Sequence, residues 1–266
     1  YSFAAWYSLG NALQQCGRYP QAIEAYDFAI AIEGAFGPAY HQKAEALVSM
    51  ERYHDALSTY EETLSFEDAS PGTRCYMGEC LERIGDLARA ETYYRESLKL
   101  DPQFADAFVG LGVLADMRGQ WREACSYFEQ ALEIEPHQAD YHLLLATTLK
   151  KLKEFDRAEE LYTKGLILDI KHEELWVERM DNLQLAERHD DALMIADDAQ
   201  TAIGQHPDMG YRKFISLYAT GLQKDAFDLL EHLLTHYFDH SEILLKFLPA
   251  LANDARFNER IERFKP

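Results

Sequence analysis

Basic residues are scarce in this sequence. Lys and Arg number 26 against 46 Asp and Glu, a formal charge of −20. That deficit excludes the usual nucleic-acid binders, which rely on Lys and Arg to displace phosphate counterions. It disfavours anionic membrane surfaces as well. Long apolar runs are missing, so no segment is expected to insert into a membrane. Cysteine is sparse. Cys16, Cys75, Cys80 and Cys125 contain no Cys-x-x-Cys pair and make no disulfide framework in a chain of 266 residues. They read as reduced thiols in small apolar spaces. Phosphate loops, dinucleotide glycine motifs, H-E-x-x-H and G-x-S-x-G are all absent, as is any Asn-x-Ser/Thr acceptor. No cofactor is expected. No signal peptide opens the chain, and it starts at Tyr1 rather than Met. The expectation is a cytoplasmic protein whose natural N-terminus lies upstream.

What the sequence does have is apolar material, 47% of residues, and a period. Alanine recurs at 22, 56, 90, 124, 158, 192 and 226, always 34 residues apart. Other columns keep that phase. Gly10, Ala44, Gly78, Gly112 and Ala146 are all small. Leu13, Leu47, Leu81, Ala115, Leu149, Leu183 and Leu217 follow three residues later. An aromatic column runs Tyr26, Tyr60, Tyr94, Phe128 and Tyr162, then degrades to Ala196 and Leu230.

Within each period the apolar residues fall three and four apart, twice over. Each repeat therefore predicts two amphipathic helices, about 3–15 and 20–32 in the first. Gly17, Gly85, Gly119 and Gly221 mark the turn between them. Small columns let helices approach closely, and the aromatic column fills the space between pairs. One pair cannot bury its own apolar face, so neighbouring pairs must stack.

This pattern resembles the tetratricopeptide repeat. Its signature stands in the first repeat as Trp6, Leu9, Gly10, Leu13, Ala22 and Tyr26. In the fourth it stands as Phe108, Leu111, Gly112, Ala115, Ala124, Phe128 and Pro136. The resemblance implies an all-α fold, a right-handed α-α superhelix forming one solenoid over 1–266. Its repeats fall at about 3–36, 37–70, 71–104, 105–138, 139–172, 173–206 and 207–240, with a cap over 241–266. Repeats six and seven depart from the pattern. Met180 and Phe214 occupy the small column, and Lys213 replaces a leucine. The C-terminal stretch looks like the end of bacterial multi-repeat proteins of unassigned activity.

The resemblance also implies a binding scaffold without catalysis, its first helices lining a concave groove that takes a peptide or a partner helix. The clamp by which some members hold acidic tails is not matched. Asn11 fits it, but Tyr7, Gln42, Gly72 and Tyr76 fill the other positions. The inward columns are acidic instead. They carry Glu45, Glu79, Glu82, Asp106, Asp116, Asp140, Glu174, Glu178, Asp181 and Asp208 against Arg83, Lys150, Lys151 and Arg212. Tyr7, His41, Tyr76, Val109, Leu143 and Val177 are interspersed. Such a surface suits a basic-apolar protein segment. The plainer reading is that Asp106, Asp140, Glu174 and Asp208 stabilise helix dipoles from the first turn and that the rest add solubility.

Other constellations are weaker. His232, His236 and His240 are spaced four apart, but the helix is expected to end near His236, where His suits the C-terminal dipole. Glu51-x-x-His54 occurs once, whereas a di-iron bundle needs it twice. Trp6, Trp121 and Trp176 sit in repeat columns and read as packing residues. Two functional expectations remain: a non-enzymatic interaction scaffold, or the recognition segment of a longer enzyme or regulator. At the N-terminal edge no polar helix precedes Phe3. Tyr1, Phe3 or Trp6 is therefore expected to be exposed, covered in nature by upstream repeats or by another molecule, a second copy included.

Overall fold

The computed structural model describes residues 2–68, 70–241 and 243–264, and no strand occurs among them. Helices come in pairs at the predicted period. The first four pairs are α1 (Phe3–Gln15) with α2 (Tyr19–Ile32), α3 (Gly37–Ser49) with α4 (Tyr53–Thr63), α5 (Pro71–Ile84) with α6 (Leu87–Leu100), and α7 (Ala105–Met117) with α8 (Trp121–Ile134). Three more follow: α9 (Ala139–Lys151) with α10 (Phe155–Leu168), α11 (Glu173–Leu185) with α12 (His189–Ile203), and α13 (Pro207–Ala219) with α14 (Gln223–Tyr237). Short helices α15 (Ile243–Phe247) and α16 (Ala255–Phe264) come last. No helix among the described residues is long and apolar enough to cross a membrane.

Local chemistry sets the helix ends. The Ser70 hydroxyl accepts from the Thr73 amide at 3.0 Å, and Pro71 stands at the first turn of α5, where its missing N–H costs nothing. Gly85 ends that helix at φ 93°. The same turn position has positive φ in all seven repeats. Four are the predicted glycines, but Glu51, Lys153 and Glu187 adopt φ of 58°, 62° and 59°. The turn geometry is imposed by packing of the pair and does not depend on glycine.

The chain divides into two compact halves, Tyr1–Pro136 and His137–Pro266. In the N-terminal half the core is the repeat columns themselves. Ala22, Tyr26, Ala56, Ala90 and Tyr94 are fully or almost fully buried. Around Tyr94 of the aromatic column the first helices come close enough to require glycine. Tyr94 lies between Gly78 and Gly110, and a Cβ on either would stand 2.8 Å or less from its ring.

In the C-terminal half the departures compensate one another. Where Met180 and Phe214 replace small residues, Ala196 and Leu230 replace aromatics, and all four are buried. Large and small have changed places with little change in volume. The seventh repeat packs under Leu244, Leu251 and Phe257. Leu245 in the same segment is exposed, and the side chain of Phe247 lies outside the described residues. Arg256 and Arg260 lie over the Phe227 ring at 4.9 and 4.7 Å.

The N-terminal edge differs from expectation in its details. Trp6 is half-buried by stacking on Phe28 at 4.5 Å, and Phe3 by Phe36 at 4.9 Å. Tyr1 lies outside the described residues. Large apolar residues exposed in the first repeat include Leu9, at 45%, Phe28, at 53%, and Ile32, at 50%. Leu9 has buried counterparts in Met77 and Leu111, each covered by a preceding helix pair. Cys16, expected to be a small packing residue, is exposed, while Cys75, Cys80 and Cys125 are buried.

Candidate functional site

The first helices of the N-terminal half bring five predicted residues into one cleft. Its volume is about 320 Å³, and His41, Gln42, Glu45, Tyr76 and Glu79 line it together with Val48 and Tyr60. A spacing of 34 residues puts position 42 of α3 and position 76 of α5 at equal heights, so the residues just after each share one opening. Tyr76 is 43% exposed and stacks on Tyr60, ring centres 5.8 Å apart. The His41 ring lies tilted against Tyr60 at 5.8 Å and approaches the Glu67 carboxylate at 3.6 Å. The Gln42 amide donates to Glu45 at 2.9 Å.

The electrostatics centre on Glu79. Its side chain is exposed at the cleft, yet enough protein surrounds it to desolvate the carboxylate in part. That partial desolvation, with the charges of Asp106 and Glu82 added, lifts its pKa to about 7. The Cys75 thiol, which donates to Glu79 at 3.8 Å, and Arg83 pull the other way but less strongly. Glu82 is itself raised by burial, though it accepts the Tyr94 hydroxyl at 2.9 Å. Asp106 joins this cluster from α7, one repeat on. Val109 is half-buried on the same helix.

Tyr7 and Asn11, on α1, serve the core instead. Tyr7 meets Phe36 edge-on at 5.1 Å, and the Asn11 carboxamide oxygen accepts the Tyr26 hydroxyl at 2.9 Å. Val48 and Tyr60 were missed as cleft residues. Tyr60 belongs to the aromatic column, which the period alone assigns to packing.

The C-terminal half handles its acids differently. Asp181, expected on the groove, is 5% exposed, and the Arg212 guanidinium grips both its oxygens, Nη2 to Oδ2 at 3.1 Å. This corrects the expectation: a carboxylate enclosed with its own arginine is not available to a partner. Glu178 is paired with Lys150. The Asp140 carboxylate is exposed and sits 2.8 Å from His172 Nε2. Leu143 is buried, and Glu174 is exposed. Two bases that sequence counting sets against the acids in general, Lys150 and Arg212, are thus paired locally.

Among the described residues no group of three His, Cys, Asp or Glu could hold a metal ion. His232 and His236 lie ring to ring at 4.6 Å, and the side chain of His240 lies outside the described residues.

Models of the tetratricopeptide repeat match residues 3–34, 41–103, 77–134 and 117–176, well over half the chain. The chain belongs to the tetratricopeptide-repeat family. No curated protein matches its sequence. Solved structures share the fold at low identity. The chain is similar to one in the APC/C hetero-tetramer Cut9-Hcn1, with a TM-score of 0.68 and 17% identity, over 81% of this chain and 43% of that one. It therefore spans less than half of that relative. A tetratricopeptide repeat protein from Parabacteroides merdae gives 0.64 and 15%, over 92% and 98%. The C-terminal part of a repeat-containing protein from Cytophaga hutchinsonii gives 0.65 and 15%, over 96% and 99%. Tetratricopeptide repeats in general are protein–protein interaction scaffolds, typically without catalysis.

Proposed function

We propose that the first-helix face of the N-terminal half binds a protein segment combining Lys or Arg with apolar residues. The observation that carries this reading is the crowding of Glu79 by Glu82 and Asp106 beside the Tyr60–Tyr76 stack. An incoming cation relieves repulsion among those carboxylates, and the tyrosine faces attract both cations and apolar groups. Each exposed contact is worth only about 0–1 kcal/mol, so affinity comes from several contacts together. The paired acids of the C-terminal half offer no comparable gain.

Selection from random displayed peptides tests this. Enriched sequences should carry Lys or Arg next to apolar residues. Glu45→Gln with Glu79→Gln should weaken their binding, most at low salt. Enriched peptides that are acidic, or that bind the double variant equally well, would overturn the assignment.

A further inference from the structure

The seventh repeat lacks a side chain that other repeats use. The column of Trp6 continues as Tyr40, Arg74, Phe108, His142 and Trp176, all large, and then Gly210. The column opposite is small throughout, as Ala29, Thr63, Ser97, Ala131, Gly165 and Ala199, until Leu233. The two departures touch: a Cβ on Gly210 would stand 2.6 Å from Leu233 Cδ2. Leucine is smaller than the ring it replaces, so the exchange is incomplete. A pocket of about 110 Å³, partly open to solvent, remains between α12, α13 and α14. Met209, Leu229 and Leu233 make its walls apolar, and Gly204 and His232 lie at its edge. That volume is on the order of the ~150 Å³ apolar cavity known to take benzene.

The other repeats indicate what fits. Two rings of this column donate to the carbonyl six residues earlier. The Tyr40 hydroxyl reaches Gly34 at 3.0 Å, and the Trp176 indole N–H reaches Ile170 at 2.8 Å. A third, Trp6, stacks on Phe28. In the seventh repeat the equivalent carbonyl belongs to Gly204, and the equivalent of Phe28 is His232. Both line the pocket. A backbone carbonyl and an imidazole thus stand at those positions where the column's own ring is gone.

We infer that this pocket is a second binding site, built to receive a Tyr or Trp side chain from a partner protein in place of the missing ring. The incoming ring donates its O–H or N–H to the Gly204 carbonyl and lies against the His232 imidazole. The apolar walls take its edge. Phe would fill the same space without the donor, and Leu would lack both donor and stacking face. The site does not depend on the acidic cleft.

The test is a titration of the whole chain followed by NMR at the Gly204 and Gly210 amides and the His232 ring. The probes are the N-acetyl amides of Trp, Tyr, Phe and Leu. Trp or Tyr should shift all three signals in the millimolar range, Phe at least threefold more weakly, and Leu not at all. Gly210→Trp should abolish the shifts by restoring the ring. If that variant does not fold, His232→Ala should weaken Trp binding at least threefold and leave the fold unchanged. Leu binding as well as Trp, shifts confined to other residues, or no shift up to 20-fold above the millimolar range would overturn the site. Free tryptophan binding more tightly than its capped amide would overturn the partner-side-chain source in favour of a small molecule.

Discussion

Gly112 and Phe128 pack so closely that a Cβ on the glycine would stand 2.4 Å from the ring Cε1. The contact joins the two helices of the fourth repeat where the small and aromatic columns cross. Ala124, fully buried, holds the same interface closed. Gly112→Ala and Ala124→Leu should each destabilise the protein by about 1–3 kcal/mol through overpacking. Thermal unfolding unchanged in both would remove the close-contact explanation for the 34-residue period.

The turn between paired helices makes an opposite pair of predictions. Lys153 holds a left-handed backbone that costs a non-glycine residue energy, and Gly119 holds it freely. Lys153→Gly should stabilise the protein by up to about 1 kcal/mol, and Gly119→Ala should destabilise it by about as much. Urea unfolding of the two variants checks the signs.

Glu79 makes stability depend on pH in an unusual direction for a carboxylate. Its folded pKa of about 7 lies above the ordinary 4.5. Between those values the folded chain keeps a proton that the unfolded chain has lost. Stability therefore falls as pH rises from about 4.5 to 7 and is level above that on this account. Because the side chain is exposed, solvent screening reduces the effect to on the order of 1 kcal/mol. Glu79→Gln should raise the melting temperature at pH 8 relative to wild type and leave it nearly unchanged at pH 4.5. A gain of equal size at both values would show that Glu79 stays ionised throughout.

The two groups of acids should behave differently on substitution. Asp181→Asn strips the buried Arg212 of its counter-charge and should cost about 3–5 kcal/mol. Asp140→Asn, at an exposed pair with His172, should cost about 0–1 kcal/mol. Similar losses from both in urea unfolding would contradict the placement of Asp181.

Helix pairing was legible because close packing repeats: Gly10, Ala22 and Tyr26 have counterparts at a fixed interval, and each column answers to one contact. The cleft was legible in part. His41, Glu45 and Glu79 follow from their columns once a first helix is known to face inward. Tyr60 did not, because a stacking residue that is also exposed to a cleft looks like any other member of the aromatic column. The role of Asp181 was hidden for a related reason. Arg212 lies 31 residues later in sequence, in an adjacent helix pair, and a charge count does not record which acid it grips. The interchange of Gly210 with Leu233 reads in sequence as mere degradation of the repeat. Only their contact shows it to be an exchange.

The most direct test of the central claim is aromatic NMR of the chain with a displayed basic-apolar peptide added. Binding on the first-helix face predicts shifts in the ring signals of Tyr76, Tyr60 and His41, with Tyr53, Tyr93 and Tyr127 of the second helices unmoved. Shifts in those three with Tyr76 and His41 unchanged would contradict it.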